Sequence, residues 1–375
     1  MYPPRAEAVI DLSAISHNVA VLAGKARQSG AGTMAVVKAD GYGHGAVPVA
    51  RAALRGGANW LGACSVAEAL ALRESGITAP VLTWLDTVDT DFAPALRAGI
   101  DVTVSSQPEL ARVIDAAGRT GLRPRVHLKV DTGLCRNGCA AAEWPALVKA
   151  AAAGEIDVVA MWSHFACADE PGDPSIDVQA ARFDEAYRSA RQAGLHPLRH
   201  LANSAATLTR PEYHFELVRP GIAIYGLNPV PTADDLRPAM TFRSSVVLVK
   251  RLVAGESVSY GHTWTAPRET TVALVPVGYG DGVPRSLSGR FSVWLGGRRR
   301  PVVGRVCMDQ IVVDCGDWEP PLGAEVVLFG TGSSGEPTAR EWADTLGTID
   351  YEIVTGMYRP RVRRRYVGTE GDPRE

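Results

Sequence analysis

The chain has 375 residues, 46% of them hydrophobic and 21% charged, and a formal net charge of −2. This composition is typical of a soluble globular protein large enough for two domains, and the near-neutral charge excludes an electrostatic case for nucleic-acid binding. Two arginine-rich stretches, 298–300 and 361–365, adjoin alternating apolar residues, and we expect both to be solvated strand edges.

The first residues lack the apolar core of a signal peptide, and no apolar run reaches the ~18 residues of a membrane span. We therefore expect a cytoplasmic protein without a membrane segment. The six cysteines form no Cys-x-x-Cys pair, which argues against a zinc ribbon or a disulfide framework. His196 and His200 have the spacing of helical metal ligands, but Pro197 between them disrupts that geometry, so we expect no metal site.

Residues 6–12 alternate like a strand, and Ser13 is a plausible helix cap. From about residue 34 to 230, a short β-rich run, a polar turn and a helical stretch recur. Strands that alternate with helices imply parallel βαβ units, and this number of units matches a (β/α)₈ barrel of the TIM type. The predicted strands lie at 34–38, 60–64, 80–84, 101–105, 125–131, 158–164, 200–204 and 217–225.

After about residue 235 the pattern changes to alternating apolar runs joined by glycine and proline turns, interrupted by one helical stretch at 340–346. This predicts a mostly antiparallel β domain. The amino-terminal strand could pair with its sheet. We therefore divide the α/β chain into an amino-terminal strand at 1–12 that joins the β domain, a barrel at 13–234 and the β domain at 235–375.

Lys38 closes the first strand of the predicted barrel, directly before a glycine-rich turn. Lysine is rarely buried, and a desolvated amine has a lowered pKa and can form a Schiff base with a carbonyl cofactor. The glycines allow backbone N–H groups to approach an anion. A lysine beside a phosphate cradle suggests pyridoxal phosphate. The alternative is a lysine whose amine simply reaches solvent at a strand end.

Polar residues also close other predicted strands, at the end of a barrel where barrel enzymes act. This convergence favours a functional role for the set. Its members are Lys38, Lys129 with Asp131, His164, Asn203 with Ser204, and Arg219.

The barrel with its β domain, and Lys38 in the stretch 36–45, closely resembles the alanine racemases, which are fold-type III pyridoxal phosphate enzymes. The resemblance covers essentially the whole chain, and the joint order of its motifs is specific. The further matching stretches are 127–133 with Arg136, 162–164, 203–204, 219–222, 259–261, 277–282 and 304–310.

The resemblance implies that Lys38 carries the cofactor as a Schiff base. It also implies that Arg219 lies against the pyridine nitrogen, although a salt bridge at the barrel rim is an alternative for that residue. A helix N-cap is likewise an alternative for Ser204. The remaining cofactor-binding residues implied are Tyr42, Asn203, Ser204, Gly221, Ile222 and Tyr358, most of them around the phosphate, together with Arg136 and His164.

For catalysis, the resemblance implies two opposed bases, Lys38 for D-alanine and Tyr260 for L-alanine, with His164 assisting the tyrosine. Because Tyr260 lies in the β domain, it is expected to enter the site of a second subunit, together with Met308 and Asp309. The active enzyme is therefore expected to be a homodimer with shared sites.

The resemblance also implies that Lys129 can be carbamylated, because the lysine at this motif position often is in the family. The new negative charge would orient Arg136, which contacts the cofactor and the substrate carboxylate. A plain salt bridge from Lys129 to Asp131 is the alternative. Tyr279 and Tyr358 are expected to narrow the entry in favour of a small side chain.

The resulting functional hypothesis is an alanine racemase that supplies D-alanine for peptidoglycan. One alternative is a racemase of another amino acid, such as serine or lysine. The other is a non-catalytic pyridoxal phosphate-binding barrel, against which the β domain with Tyr260 argues.

Overall fold

The computed structural model describes residues 5–368, which divide into two compact units. The barrel unit contains residues 15–41 and 45–236. The β unit contains the described residues up to Ala14, the segment Tyr42–His44 and the described residues from Arg237 onward. The first strand, β1 (Ala6–Asp11), belongs to the β unit.

The barrel unit is built on an eight-stranded parallel sheet in the order β8-β7-β6-β5-β4-β3-β2-β9. Its ends meet, because Glu216 N donates to Arg199 O over 3.3 Å and Arg219 N donates to Ala202 O over 2.9 Å. The predicted barrel is confirmed. Its strands are β2 (Gly32–Val36), β3 (Trp60–Gly62), β4 (Val81–Thr83), β5 (Asp101–Val104), β6 (Arg125–Lys129), β7 (Asp157–Trp162), β8 (Leu198–His200) and β9 (Leu217–Val218).

Helices connect these strands, and local capping explains several of their starts. Ser65 and Ser106 each accept the N–H of a glutamate three residues later, so that α4 and α6 begin where a polar cap replaces the missing intrahelical partner. The helices are α1 (Leu12–Gln28), a short left-handed turn α2 (Lys38–Tyr42), α3 (Ala46–Arg55), α4 (Val66–Glu74), α5 (Ala93–Arg97), α6 (Gln107–Thr120), α7 (Trp144–Ala153), α8 (Ser175–Gln192), α9 (Ser204–Thr209) and the 3₁₀ turns Pro211–Tyr213 and Ile222–Tyr225.

The last two predicted strands are shorter than the sequence suggests. The seventh ends at His200, and Asn203 instead caps α9 by accepting the N–H of Ala206. The eighth ends at Val218, two residues before Pro220, which lacks the N–H needed to continue a ladder, and the chain then turns into the 3₁₀ helix. These shortened strands leave backbone N–H groups of turns at the barrel rim.

The β unit contains a nine-stranded sheet in the order β11-β14-β17-β16-β15-β18-β10-β1-β19 and a two-stranded sheet β12-β13. The predicted mostly antiparallel sheet is confirmed. Its further strands are β10 (Met240–Ser245), β11 (Leu248–Leu252), β12 (Ser257–Val258), β13 (Trp264–Thr265), β14 (Thr270–Val275), β15 (Ser292–Trp294), β16 (Arg299–Val303), β17 (Ile311–Gly316), β18 (Glu325–Phe329) and β19 (Val362–Val367), with helices α10 (Ala339–Leu346) and α11 (Asp350–Gly356).

Strand β1 lies inside this sheet, antiparallel to β10 and parallel to β19. Arg243 of β10 reinforces the pairing with two hydrogen bonds to the Glu7 carboxylate, at 2.9 and 2.7 Å. One expectation about this unit is wrong. Arg300 is not solvated but 5% exposed, because its guanidinium lies over the Trp318 ring and donates to buried carbonyl groups.

Among residues 5–368, no helix is both long and apolar enough to cross a membrane.

Candidate active site

Lys38 begins a backbone turn that L-amino acids rarely adopt. Ala39, Asp40 and Gly41 have φ values of 51°, 52° and 61°, which form a left-handed turn. Such a conformation costs roughly 1–2 kcal/mol for each non-glycine residue, so neighbouring contacts must hold it. The Glu68 carboxylate accepts the N–H of Ala39 at 2.8 Å, and the Asp40 carboxylate accepts the first N–H of α3 at 2.9 Å. The turn therefore fixes where the lysine leaves the barrel strand.

Three cationic side chains at the barrel rim lie over the rings of two tryptophans. The Lys38 amine lies 5.9 Å from the centre of the Trp84 ring, while the Lys129 amine and the Arg219 guanidinium lie 4.2 and 4.8 Å from that of Trp162. The two indoles pack at 6.0 Å with an angle of 63°. Because indole faces attract cations, they hold like charges close together. The structure thus brings these three predicted site residues together.

Arg219 is buried and makes several hydrogen bonds. One terminal nitrogen donates to the Ser163 carbonyl at 2.7 Å and lies 3.3 Å from His164 Nδ1, and the other lies 3.1 Å from His200 Nδ1. Burial lowers the pKa of the guanidinium to about 9, so it remains protonated at neutral pH. Within residues 5–368, its Nε makes no hydrogen bond. That nitrogen is a donor available to a ligand.

His164 is a neutral imidazole at neutral pH. Burial lowers its pKa well below the usual value, and the positive charges of Arg219, Arg136, Lys129 and Lys38 lower it further. Since an arginine can only donate, Nδ1 of His164 accepts from Arg219. The single proton of the neutral ring must therefore lie on Nε2, where it can be donated to another group.

The amine of Lys129 is an unusually weak base for a lysine. Burial, followed by the charges of Arg219 and Arg136, lowers the pKa of its amine to about 8. A salt bridge from Lys129 to Asp131 was the alternative interpretation of the sequence, but among the described residues these two side chains form no ion pair. The Asp131 carboxylate instead accepts the N–H groups of Gly133 and Cys135, at 2.9 and 3.1 Å. A fraction of the Lys129 side chains therefore carries a neutral amine at neutral pH, and the nearby Arg136 is exposed.

A set of backbone N–H groups converges on Ser204, the first residue of α9. Its hydroxyl oxygen accepts the N–H of Gly221 at 2.8 Å and that of Ala223 at 3.3 Å. Asn203 is the helix cap here, so that Ser204 is free of that role. In the described part of the chain, the N–H of Ile222 makes no hydrogen bond. The donors left for an anion are therefore the Ile222 N–H, at the start of the 3₁₀ turn, and the Ser204 hydroxyl, at the start of α9.

The β unit presents a second group of predicted residues. Tyr279 N donates to Cys307 O at 3.0 Å, and Ser259, whose φ is 66°, donates its hydroxyl to Arg305 O at 2.8 Å. The segments 259–262, 278–281 and 304–309 are therefore joined into one patch, which we call the tyrosine patch. Two of its side chains point outward, Tyr260 with 72% and Met308 with 52% exposure.

Other predicted residues of the β unit have defined partners. Asp309 forms an ion pair with Arg361 at 2.6 Å. Arg361 also forms an ion pair with Asp281, at 3.2 Å. Tyr42 is buried, with its ring 6.0 Å from that of Tyr351. Tyr358 is exposed. The predicted site residues thus divide between the units, and Tyr42, Tyr260, Tyr279, Met308, Asp309 and Tyr358 all belong to the β unit.

Sequence reasoning overlooked part of the barrel interior. Trp84 was not predicted to belong to the site, nor were the buried polar residues Asp101 and His127, although His127 lies in a matching stretch. His200 was considered only as a metal ligand. The signal was present, because polar residues recur inside predicted barrel strands where an apolar residue is ordinary. No group of metal-ligating side chains suited to an ion occurs among residues 5–368.

Comparisons with known proteins agree on one family. The model of the alanine racemase amino-terminal domain matches residues 10–229, and that of the carboxy-terminal domain matches residues 239–366. An alanine racemase from Frankia casuarinae is 54% identical over 373 residues, covering 97% of this chain and 96% of the relative.

Solved structures give the same result. An alanine racemase from the D-cycloserine producer Streptomyces lavendulae is 48% identical, with a TM-score of 0.95 and 98% of each chain covered. An alanine racemase from Bartonella henselae with covalently bound pyridoxal phosphate is 27% identical, with a TM-score of 0.89, covering 97% of this chain and all of that one (100%).

Proposed function

The chain belongs to the alanine racemase family, a family of isomerases that interconvert L- and D-alanine, and we propose that it does so with pyridoxal phosphate and two bases. The bases are Lys38 and Tyr260 of the partner subunit. The observation that carries this proposal is the cation cluster of Lys38, Lys129 and Arg219 over the Trp84 and Trp162 rings, which offers an amine and a buried donor side by side.

The residues of the barrel rim fit the cofactor. When bound, pyridoxal phosphate supplies a carbonyl carbon for attachment to an amine and a ring that accepts electrons from the substrate Cα. Lys38 provides the amine. The N–H of Ile222 and the hydroxyl of Ser204 suit the phosphate, and the unpartnered Nε of Arg219 suits the pyridine nitrogen. Asn203, Gly221, Tyr42 and Tyr358 complete the proposed binding set.

Arg219 limits how far the electrons are withdrawn. An arginine can donate a hydrogen bond but cannot accept one, so its partner nitrogen stays unprotonated. The buried guanidinium is protonated at neutral pH and cannot take on an acceptor role. A bound cofactor would then withdraw less negative charge from Cα, which would favour return of a proton to that carbon over side reactions.

Two bases serve the two faces of Cα. Lys38 removes the proton from D-alanine, and Tyr260 of the partner subunit removes it from L-alanine. A phenol has an ordinary pKa of about 10 and needs assistance to act as a base near neutral pH. His164 can give it, because its Nε2–H donates to a phenolate oxygen while its Nδ1 accepts from Arg219.

Lys129 and Arg136 orient the substrate. With the pKa of the amine near 8, about a tenth of Lys129 is neutral at pH 7. A neutral amine adds to CO₂ and releases a proton, leaving a negatively charged carbamate that pairs with Arg136. Arg136 then donates to the alanine carboxylate. A ¹³C NMR signal of a carbamate after incubation with ¹³C-bicarbonate, absent from Lys129→Ala, tests this step.

The tyrosine patch completes the site across a homodimer. Tyr279 and Met308 lie on it, and we propose that they and Asp309 face the alanine side chain of the partner subunit's site, with Tyr358 at the entry. In this assembly each active site takes its lysine from one subunit and its tyrosine from the other. We also propose that the enzyme acts in the cytoplasm and that its D-alanine supplies peptidoglycan synthesis.

The test is incubation of the cofactor-loaded enzyme with L-alanine, L-serine or L-lysine in D₂O, followed by chiral chromatography and mass spectrometry. We expect α-deuterated D-alanine well ahead of the other products. Preferential formation of D-serine or D-lysine would replace alanine as the substrate. Absence of α-deuterium from every amino acid would leave only a cofactor-binding barrel and refute the proposed reaction.

Tyr260→Phe separates the two bases in the same assay. We expect turnover to fall by about 10²–10⁴-fold, the usual contribution of a general base, while D-alanine still exchanges its α-proton through Lys38. Tyr187→Phe, a substitution on α8 in the barrel unit, is the control and keeps full turnover. Equal loss of α-exchange from both enantiomers would contradict the assignment of one base to each face.

A further inference from the structure

A chain of hydrogen bonds runs through the interior of the barrel. The Asp101 carboxylate lies 3.2 Å from His127 Nε2, His127 Nδ1 lies 2.9 Å from His200 Nε2, and His200 Nδ1 lies 3.1 Å from Arg219. All four side chains are buried, with 0–5% exposure. Asp101 is the first residue of β5, and Arg219 follows β9, so the chain joins the amino-terminal end of the barrel to its reactive rim.

The two ends fix the direction in which every proton points. Arg219 can only donate, so His200 Nδ1 accepts. Burial and the charge of Arg219 lower the pKa of His200, and burial lowers that of His127, so both rings are neutral at pH 7. His200 therefore carries its proton on Nε2 and donates to His127 Nδ1. His127 likewise carries its proton on Nε2 and donates to Asp101.

Surrounding groups hold this geometry. Trp162 stacks on His200 at 5.6 Å and 12°, and Trp60 packs edge-on against His127 at 5.3 Å. At the far end, Arg125 donates to both carboxylate oxygens of Asp101, at 2.7 and 3.3 Å. Burial alone raises the pKa of Asp101, but the hydrogen bonds from His127 and Arg125 outweigh it and leave that pKa lowered. Asp101 is therefore an anion.

We propose that Asp101 is a positioning residue for the racemase reaction: through His127 and His200 it fixes the orientation of the Arg219 guanidinium, and thereby the donor that Arg219 offers to the cofactor ring. The four residues form a relayed ion pair, in which two neutral imidazoles connect a carboxylate to a guanidinium. The catalytic part of this proposal rests on the proposed function, whereas the proton positions do not.

Asp101→Asn tests the relay because it replaces one carboxylate oxygen with an N–H donor of the same size. With the remaining oxygen held by Arg125 Nε, the new NH₂ takes the place of the oxygen that faces His127. It loses the longer hydrogen bond from Arg125, and His127 Nε2 must then accept from it. Both imidazoles change tautomer, and His200 Nδ1–H is left facing an N–H of Arg219. Two donors that face one another repel, so the guanidinium must shift.

The experiment combines histidine NMR with kinetics. Protein labelled with ¹⁵N-histidine reports which ring nitrogen carries the proton, independently of turnover, and His127 and His200 are assigned by single substitutions. For Asp101→Asn we expect both rings to change to the Nδ1–H form and kcat to fall about tenfold, with KM for alanine within about twofold. Asp157→Asn is the matched control, because Asp157 lies 3.5 Å from Arg125 at the same barrel end. It should resemble wild type.

The outcomes are decisive even if Asp101→Asn does not fold. Wild-type protein in which both rings carry the proton on Nε2 at pH 7 supports the relay, and a histidinium or an Nδ1–H form of either ring overturns it. A folded Asp101→Asn variant with unchanged tautomers and unchanged kcat also overturns it. Wild-type protein with the expected tautomers but no racemisation would retain the relay and refute only the proposed function.

Discussion

The two units hold their functional side chains in opposite ways. In the barrel unit, Lys129, His164 and Arg219 have altered pKa values, because burial and neighbouring charges act on groups kept from solvent. In the β unit, Tyr260 is 72% exposed, and what is fixed is the backbone of the tyrosine patch. In the barrel unit the surroundings of these groups are already in place, whereas in the β unit only the position of the tyrosine backbone is fixed.

This difference is consistent with the homodimer proposed above. A phenol can act as a base once a hydrogen-bond donor stabilises its phenolate oxygen. The barrel rim contains what it requires, an Nε2–H on a neutral His164. Substitutions can disrupt the barrel groups and the backbone of the tyrosine patch separately.

The largest effect is expected from Lys38→Ala. Without the amine, neither cofactor attachment nor removal of the proton from D-alanine is possible, so racemisation should fall by at least about 10⁴-fold. The visible absorption of a covalently bound cofactor should vanish as well. Turnover and absorbance spectra measure both. A variant that keeps more than about a hundredth of the wild-type rate would exclude Lys38 as an essential base.

Gly278→Ala should disrupt the tyrosine patch. A Cβ at this position would lie 2.2 Å from Cys307 O and 2.6 Å from Met308 O, and both atoms belong to the backbone. We expect a loss of roughly 1–3 kcal/mol in unfolding free energy and a raised KM for alanine, because Tyr279 and Met308 move. Denaturant unfolding and steady-state kinetics measure the two effects. Gly356→Ala has open space around its Cβ and should resemble wild type; equal effects at the two glycines would refute the clash.

Periodicity was sufficient for the architecture but not for the site's local geometry. Strands that alternate with helices could be recognised because parallel βαβ units impose that order. The left-handed turn after Lys38 could not, because Ala39 carries no sequence signal for a positive φ and Asp40 carries only the weak preference of aspartate. Both residues are held there by Glu68 and α3. The hydrogen-bonded chain from Asp101 to Arg219 could not be predicted either, because its members come from four separate strands or turns and meet only after the barrel closes.

Gly62→Ala tests whether the Trp84 ring influences Lys38, with a smaller disturbance of the structure than Gly278→Ala. The new Cβ would lie 2.7 and 2.8 Å from two ring atoms of Trp84, which belong to a side chain and can move. We expect a loss of about 1 kcal/mol in stability and a reduction of a few-fold in kcat, because the ring shifts beneath Lys38. Gly118→Ala, with no atom within 4 Å of its Cβ, is the control. An unchanged kcat in Gly62→Ala would show that the Trp84 face does not influence the lysine.

The last prediction concerns acid, which should separate the two units. Burial lowers the pKa values of His127, His164 and His200 in the folded barrel, whereas the unfolded chain retains the ordinary value near 6.5. Below that value the unfolded state binds more protons, so stability falls as pH decreases from about 7 to 5. Hydrogen exchange at pH 7 and 5.5, corrected for intrinsic rates, should show lost protection in β6 and β8 but little change in β14 and β17. Equal loss in both units would mean that the buried histidines do not control the acid sensitivity of the barrel.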